Sequence, residues 1–171
     1  LAYAAAKVFK DKRIFLLGEI IHNPEVNEQL REMGIQSLKR GNKGYDLSGL
    51  TSEDVVIVPA FGAEVETMDH LKQLGCQTVD TTCGDVMSVW KRVRQYNKER
   101  VTSIIHGKAS HEETMATSSR ALSGDGLGHY LVVYNLAETD YVCEYIRKGG
   151  NREEFLKKFS GAHSPGFDPE K

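Results

Sequence analysis

Five short apolar runs, each followed by a stretch with helical spacing, restrict this chain more than any other feature of its sequence. "RIFLLGEII" (13–21) leads into "NPEVNEQLREMG" (23–34), "DVVIVPA" (54–60) into "EVETMDHLKQLG" (64–75), and "QTVDTT" (77–82) into "GDVMSVWKRVRQYNKE" (84–99). "VTSIIHG" (101–107) then leads into "HEETMATSSRAL" (111–122), and "HYLVVYN" (129–135) into "ETDYVCEYIRKG" (138–149). Strands that are apolar throughout must be covered on both faces, and a helix after every strand supplies the cover. The pattern predicts an α/β fold of parallel sheets covered by helices. Asn23 is placed to cap the helix that Pro24 opens, and Gly75 to close the one before it. "REEFLKKF" (152–159) adds a last short helix, while "KRGNKGYDLSG" (39–49) and "SGDGLG" (123–128) read as surface loops.

Composition narrows the partners. A chain of 171 residues with 40% hydrophobic content can bury one ordinary core or two small ones. A formal charge of −2, spread without a basic stripe, argues against nucleic acid and against anionic membrane. No apolar run approaches the roughly 20 residues that span a bilayer, and no signal-peptide pattern is present. Three cysteines, Cys76, Cys83 and Cys143, fit a reducing cytoplasmic compartment better than a disulfide framework. Both ends read as internal. Leu1 opens inside the alanine-rich "LAYAAAKVFKDK" without a methionine, and "GFDPEK" stops in mid-loop, so the chain is expected to be a piece of something longer.

Parallel sheets place ligands beyond the carboxyl ends of their strands. His22, Phe61, Cys83, the turn to His111 and Glu113, and Asn135 stand at those positions. At a helix N-terminus the macrodipole favours thiolate, which is both a nucleophile and a soft metal ligand, and this gives Cys83 a chemical reading. Two histidines with free backbone N–H groups suit an anionic group such as a phosphate, and a carboxyl group beside them can exchange a proton. Each residue also has a plain structural reading. Ser110-x-x-Glu113 forms a capping box. Cys83 reads equally as a small buried residue. Cys143, beside Val142 and Ile146, is assigned to a packed helix face, and His106 to a packed strand. Neither CxxC nor HExxH spacing is present. Three readings stay open on the residues alone: a metal or redox site, a cysteine nucleophile with His111 as base, and a non-catalytic phosphate-binding module.

Five motifs in order carry a resemblance: "GEIIHNPEVNEQL" (18–30), "VVIVPAFGAEV" (55–65), "VDTTCGDVMSVWKRV" (79–93), "SIIHGKASHEET" (103–114) and "AHSPGFDP" (162–169). With them the chain resembles the 4-hydroxy-3-methylbut-2-enyl diphosphate reductases, most closely their plant and cyanobacterial branch. The resemblance implies two of three similar α/β lobes of a trefoil-like reductase, residues 1–83 and 84–171, with the third lobe absent. It implies a [4Fe–4S] cluster held by three cysteines in the intact protein, of which Cys83 is the middle one. By the same resemblance His22 and His111 contact the substrate diphosphate, and Glu113 takes part in proton delivery. The implied reaction is reductive dehydroxylation to isopentenyl and dimethylallyl diphosphates in non-mevalonate isoprenoid biosynthesis. A ferredoxin or flavodoxin would serve as electron donor, in the cytoplasm or a plastid stroma. Phe61 stands where many bacterial relatives have histidine, and Gly84 where proline is usual. With one of three thiolates, the fragment by itself is expected to be cluster-free and inactive.

Overall fold

A computed structural model describes residues 1–41, 44–122, 124 and 127–171. They divide into two compact units, Leu1–Ser88 and Val89–Lys171.

In the first unit, α1 (Ala2–Val8) precedes β1 (Ile14–Leu17), α2 (Pro24–Glu32) and β2 (Gln36–Leu38). A short antiparallel pair follows, β3 (Arg40–Gly41) with β4 (Gly44–Tyr45). Then come β5 (Val55–Val58), α3 (Val65–Leu74), β6 (Gln77–Asp80) and α4 (Gly84–Lys98), whose length includes the division between the units. The main sheet is fully parallel, in the order β2-β1-β5-β6.

Alternation along the two central strands builds the core on both sides of that sheet. Ile14, Leu16, Val55 and Ile57 pack with Ala2, Ala5, Leu30 and Ile35, so α1 and α2 lie on one face. Phe15, Leu17, Val56 and Val58 pack with Leu47, Leu50, Ala63 and Leu71, which puts α3 on the other. All eight of these strand residues are buried, which is why β1 and β5 read as unbroken apolar runs. Each such side chain contributes about 1.5–3 kcal/mol relative to exposure, and Leu16→Ala would forfeit about 2–5 kcal/mol. At the amino end, Arg13 ties β1 to β5 through a bidentate pair with Asp54, Nε to Oδ1 at 2.7 Å and Nη2 to Oδ2 at 2.6 Å.

The second unit holds β7 (Ser103–His106), α5 (Glu112–Ala121), β8 (Tyr130–Val133), α6 (Leu136–Lys148) and α7 (Arg152–Lys158). β7 and β8 are parallel and in register from Ser103↔Tyr130 to His106↔Val133. Leu131, Val133, Val142, Tyr145, Phe155, Phe159 and Phe167 form one cluster beneath them. Trp90 donates from Nε1 to Thr117 Oγ1 (3.2 Å), and the Arg120 guanidinium lies 3.5 Å over its ring.

The α/β reading and the helix–strand order stand. Asn23 caps α2 by accepting from Glu25 and Val26, and Gly75 closes α3 in the left-handed region at φ 75°. Several expectations need correction. Residues 39–49 are not simply a loop: they include β3 and β4, and Arg40 ties this hairpin to the start of α3 through Glu64. Positions 42, 43, 123, 125 and 126 of the two expected loops lie outside the described residues. Cys143 is exposed, not core. Val142 and Tyr145 form the inward face of α6, and one position round the helix turns Cys143 and Ile146 outward. His106 is exposed too, because it shares the uncovered face of β7 with Ile104. The cap of α5 is His111 rather than Ser110.

Candidate functional site

The order β2-β1-β5-β6 reverses direction between β1 and β5, and such a switch point opens a crevice at the carboxyl ends of the strands. His22 follows β1 at this crevice and Phe61 follows β5. Their rings stack with centroids 4.3 Å apart at 27°. His22 is exposed, and its Nδ1 lies 3.3 Å from Glu19 Oε2. The turn beneath it is held by a residue that the sequence reading did not single out: Asn27. Its Oδ1 accepts from Ile20 N (2.9 Å), and its Nδ2 donates to the carbonyls of Ile21 (2.8 Å) and Asn23 (3.0 Å). An asparagine four positions after the cap, in the first turns of α2, was the available clue.

Cys83 ends the neighbouring turn, and the two threonines before it explain the composition of that segment. Thr81 Oγ1 donates to the Val58 carbonyl (2.6 Å), and Thr82 bonds Asp80 Oδ1 through its N–H (2.9 Å) and its hydroxyl (2.5 Å). The N–H of Cys83 donates to the Ala60 carbonyl (3.0 Å), which pins the residue to the end of β5. Its own carbonyl accepts from Met87 N (3.0 Å), so Cys83 occupies the N-cap position of α4. The thiol is exposed, which rules out the reading of Cys83 as a buried packing residue. The other two thiols serve elsewhere: Cys76 Sγ donates to the Thr51 carbonyl (3.3 Å), burial pushes its pKa up, and Cys143 stands outward on α6.

In the second unit, β7 ends at His106, and the N–H of the next residue, Gly107, donates to the Val133 carbonyl (2.9 Å). The short turn after it brings His111 to the N-cap of α5. There the imidazole Nδ1 accepts from Glu113 N (3.2 Å). A ring nitrogen that accepts from a backbone N–H carries no proton, so the neutral ring holds its proton on Nε2, as a donor. Glu112 and Glu113 occupy the first helical turn and already answer the helix dipole. An anion at this edge would therefore be met by the imidazole rather than by the helix end. Glu113 is exposed and, with His106, Lys108, His111 and Arg92, lines a cleft of about 870 Å³. His106 and Lys108 are lining residues that the sequence reading did not assign to any site.

His22 and Cys83 thus stand on the carboxyl edge of the first unit, and His111 and Glu113 on the carboxyl edge of the second. Among the described residues, no group of three or more His, Cys, Asp and Glu side chains could hold a metal ion. Cys83 can supply one exposed thiolate. The residues present do not by themselves make a holder for a cluster.

The sequence model of the LytB protein family matches residues 1–156. The chain is 51% identical over 171 residues to the 4-hydroxy-3-methylbut-2-enyl diphosphate reductase of Crocosphaera subtropica, covering all of this chain and 41% of that protein. A reductase of the same name from a Synechococcus species is 50% identical over 171 residues, and one from Thermosynechococcus vestitus 51%, with the same coverage. The chain therefore spans 41% of the length of these relatives. Among solved structures, an (E)-4-hydroxy-3-methyl-but-2-enyl diphosphate reductase matches 94% of this chain and 57% of its own, with a TM-score of 0.66 at 24% identity. The E-1-hydroxy-2-methyl-but-2-enyl-4-diphosphate reductase from Plasmodium falciparum matches 81% and 40%, with a TM-score of 0.69 at 24% identity. These structures share the fold, and with the match over residues 1–156 the conclusion is direct: the chain belongs to the LytB family.

Proposed function

We propose that these residues are part of a 4-hydroxy-3-methylbut-2-enyl diphosphate reductase, which removes the substrate hydroxyl reductively to give isopentenyl and dimethylallyl diphosphates. One observation carries the reading: in a chain about half identical to reductases of that name, His22, Cys83 and His111 stand on turns that follow parallel strands, and Glu113 stands in the helical turn next to His111. The remainder of the relatives' length would supply the third lobe beside residues 1–83 and 84–171.

His22 and His111 bind the diphosphate. His111 offers its Nε2 proton, the tautomer that its N-cap bond to Glu113 selects. His22 is oriented by stacking on Phe61 and by Glu19, so the aromatic ring in place of a further histidine acts as a platform. Glu113, exposed on the cleft of the second unit, holds and delivers a proton. Cys83 would hold one iron of a [4Fe–4S] cluster together with further cysteines of the longer protein, and the cluster would supply electrons. A small electron-transfer protein such as ferredoxin or flavodoxin would reduce it. We place the enzyme in the cytoplasm or a plastid stroma. No helix among the described residues is long and apolar enough to cross a membrane.

The test uses a protein of the relatives' length that contains these residues, purified without oxygen. Adding 4-hydroxy-3-methylbut-2-enyl diphosphate should oxidise a reduced viologen dye, and Glu113→Gln should slow turnover by about 10²–10⁴-fold. The 171-residue chain alone should bind no iron and turn nothing over. Unchanged turnover in Glu113→Gln would remove the proton-delivery role.

A further inference from the structure

The turn that delivers His111 and Glu113 contains a contact that only glycine can make. A Cβ built onto Gly107 would stand 2.7 Å from Thr114 Oγ1 and 3.9 Å from both its Cβ and its Cγ2. That hydroxyl is not the free end of a long side chain. Threonine is branched at Cβ and stiff at χ1, and Thr114 is buried in the first turn of α5. Gly107 cannot retreat either, because its N–H is bonded to Val133 in the adjacent strand. Between the two, His111 N donates to the Lys108 carbonyl (2.9 Å), and Met115 N donates to the His111 carbonyl (2.9 Å). The turn is therefore clamped twice, at Gly107 against the sheet and at Thr114 against Gly107. His111 and Glu113 lie on the backbone between these two points.

We propose that Gly107 is a positioning residue, and that the close seat of Thr114 on it sets the placement of His111 and Glu113 at the start of α5. The sheet is the fixed reference, and the absent side chain at Gly107 lets the first turn of α5 approach it. With alanine there, Thr114 is pushed outward, the first turn of α5 moves with it, and the bond from Glu113 N to His111 Nδ1 opens. The imidazole then loses its fixed tautomer and presents its Nε2 proton only part of the time. The functional weight of this rests on the reading of His111 and Glu113 given above. The geometric claim does not.

The experiment is ¹⁵N NMR of the histidine side chains in the 171-residue chain, at a pH where the imidazoles are neutral. Wild type should show an acceptor-type Nδ1 and a proton-bearing Nε2 at His111. Gly107→Ala should shift both signals toward the averaged values of a free imidazole. Thr114→Ala alone, which removes the seat, should shift them part of the way, and the double variant should restore them, because the new Cβ fills the space that the hydroxyl and methyl leave. Should Gly107→Ala fail to fold, the double variant carries the test by folding with the wild-type signature. A folded Gly107→Ala chain with unchanged His111 signals overturns the proposal, as does a double variant that does not regain them. Inorganic pyrophosphate separates the two readings. If it leaves the wild-type His111 signals unmoved, the anion-binding role fails, while the mutational pattern still decides the positioning claim.

Discussion

Two turns of this chain present a histidine at the carboxyl end of a parallel strand, and they are built by different means. After β1, His22 stands one residue before the cap, exposed and stacked on Phe61, on a backbone held by three hydrogen bonds from Asn27. After β7, His111 is itself the cap, and its backbone is held by the packing of Thr114 onto Gly107. The first turn separates support from presentation, since the Asn27 and Asn23 side chains bond the backbone while the imidazole contacts the side chains of Glu19 and Phe61. In the second, one ring does both. Capping fixes its tautomer, and the same ring faces the cleft. Substitutions should therefore divide the roles cleanly in the first turn and only conditionally in the second.

The largest effect is expected at Asn27. Asn27→Ala leaves Ile20 N without the Asn27 acceptor, removes one of the two hydrogen bonds to the Ile21 carbonyl, and should cost about 2 kcal/mol, read as lost amide-exchange protection across residues 14–32. Asn23→Ala removes only a cap and should cost about 1 kcal/mol in the same measurement. The opposite end of the β1–β5 pair gives a smaller, pH-dependent effect. The hydrogen bonds from Arg13, aided by those from Thr51, hold the buried Asp54 carboxyl below the usual carboxylate range against the cost of burial. That contribution is complete above the unfolded carboxylate value of about 3.9 and is lost as pH falls through the lower folded value. Arg13→Met raises the folded value, so acid unfolding followed by circular dichroism should begin at higher pH. The smallest change in stability belongs to His111→Asn. Asparagine keeps a side-chain cap, so the melting temperature should barely move, while the response to inorganic pyrophosphate at this edge is lost. A large loss of stability in His111→Asn would show that the ring is chiefly structural and would collapse the contrast between the turns.

The strand–helix alternation was legible because its signals are local. The apolar runs of β1 and β5, the Asn23-Pro24 start and the Gly75 stop each act within a few residues. β2 was not legible. Gln36 and Ser37 are exposed, and an edge strand with polar side chains resembles a loop until its neighbour is known. The pairing of β3 with β4 covers only two residues on each strand, and the ion pair that joins it to α3 brings Arg40 to a distant partner, Glu64. The outward turn of Cys143 and the exposure of His106 were decided by which faces found cover, which no spacing records. At the candidate site, the strand-end positions of His22, Cys83, His111 and Glu113 could be read from the order of elements. Their supports, Asn27 and the seat of Thr114 on Gly107, are tertiary and could not. The choice of His111 over Ser110 as cap is a matter of one residue in where α5 begins.

The most direct test of the account is the role of Cys83 in a protein of the relatives' length, purified without oxygen as wild type and as Cys83→Ser. Iron content and substrate-dependent oxidation of a reduced viologen dye would be measured on the same samples. The account predicts bound iron and turnover in the wild type, with turnover lost and iron diminished in Cys83→Ser. Full turnover and undiminished iron in Cys83→Ser would contradict it.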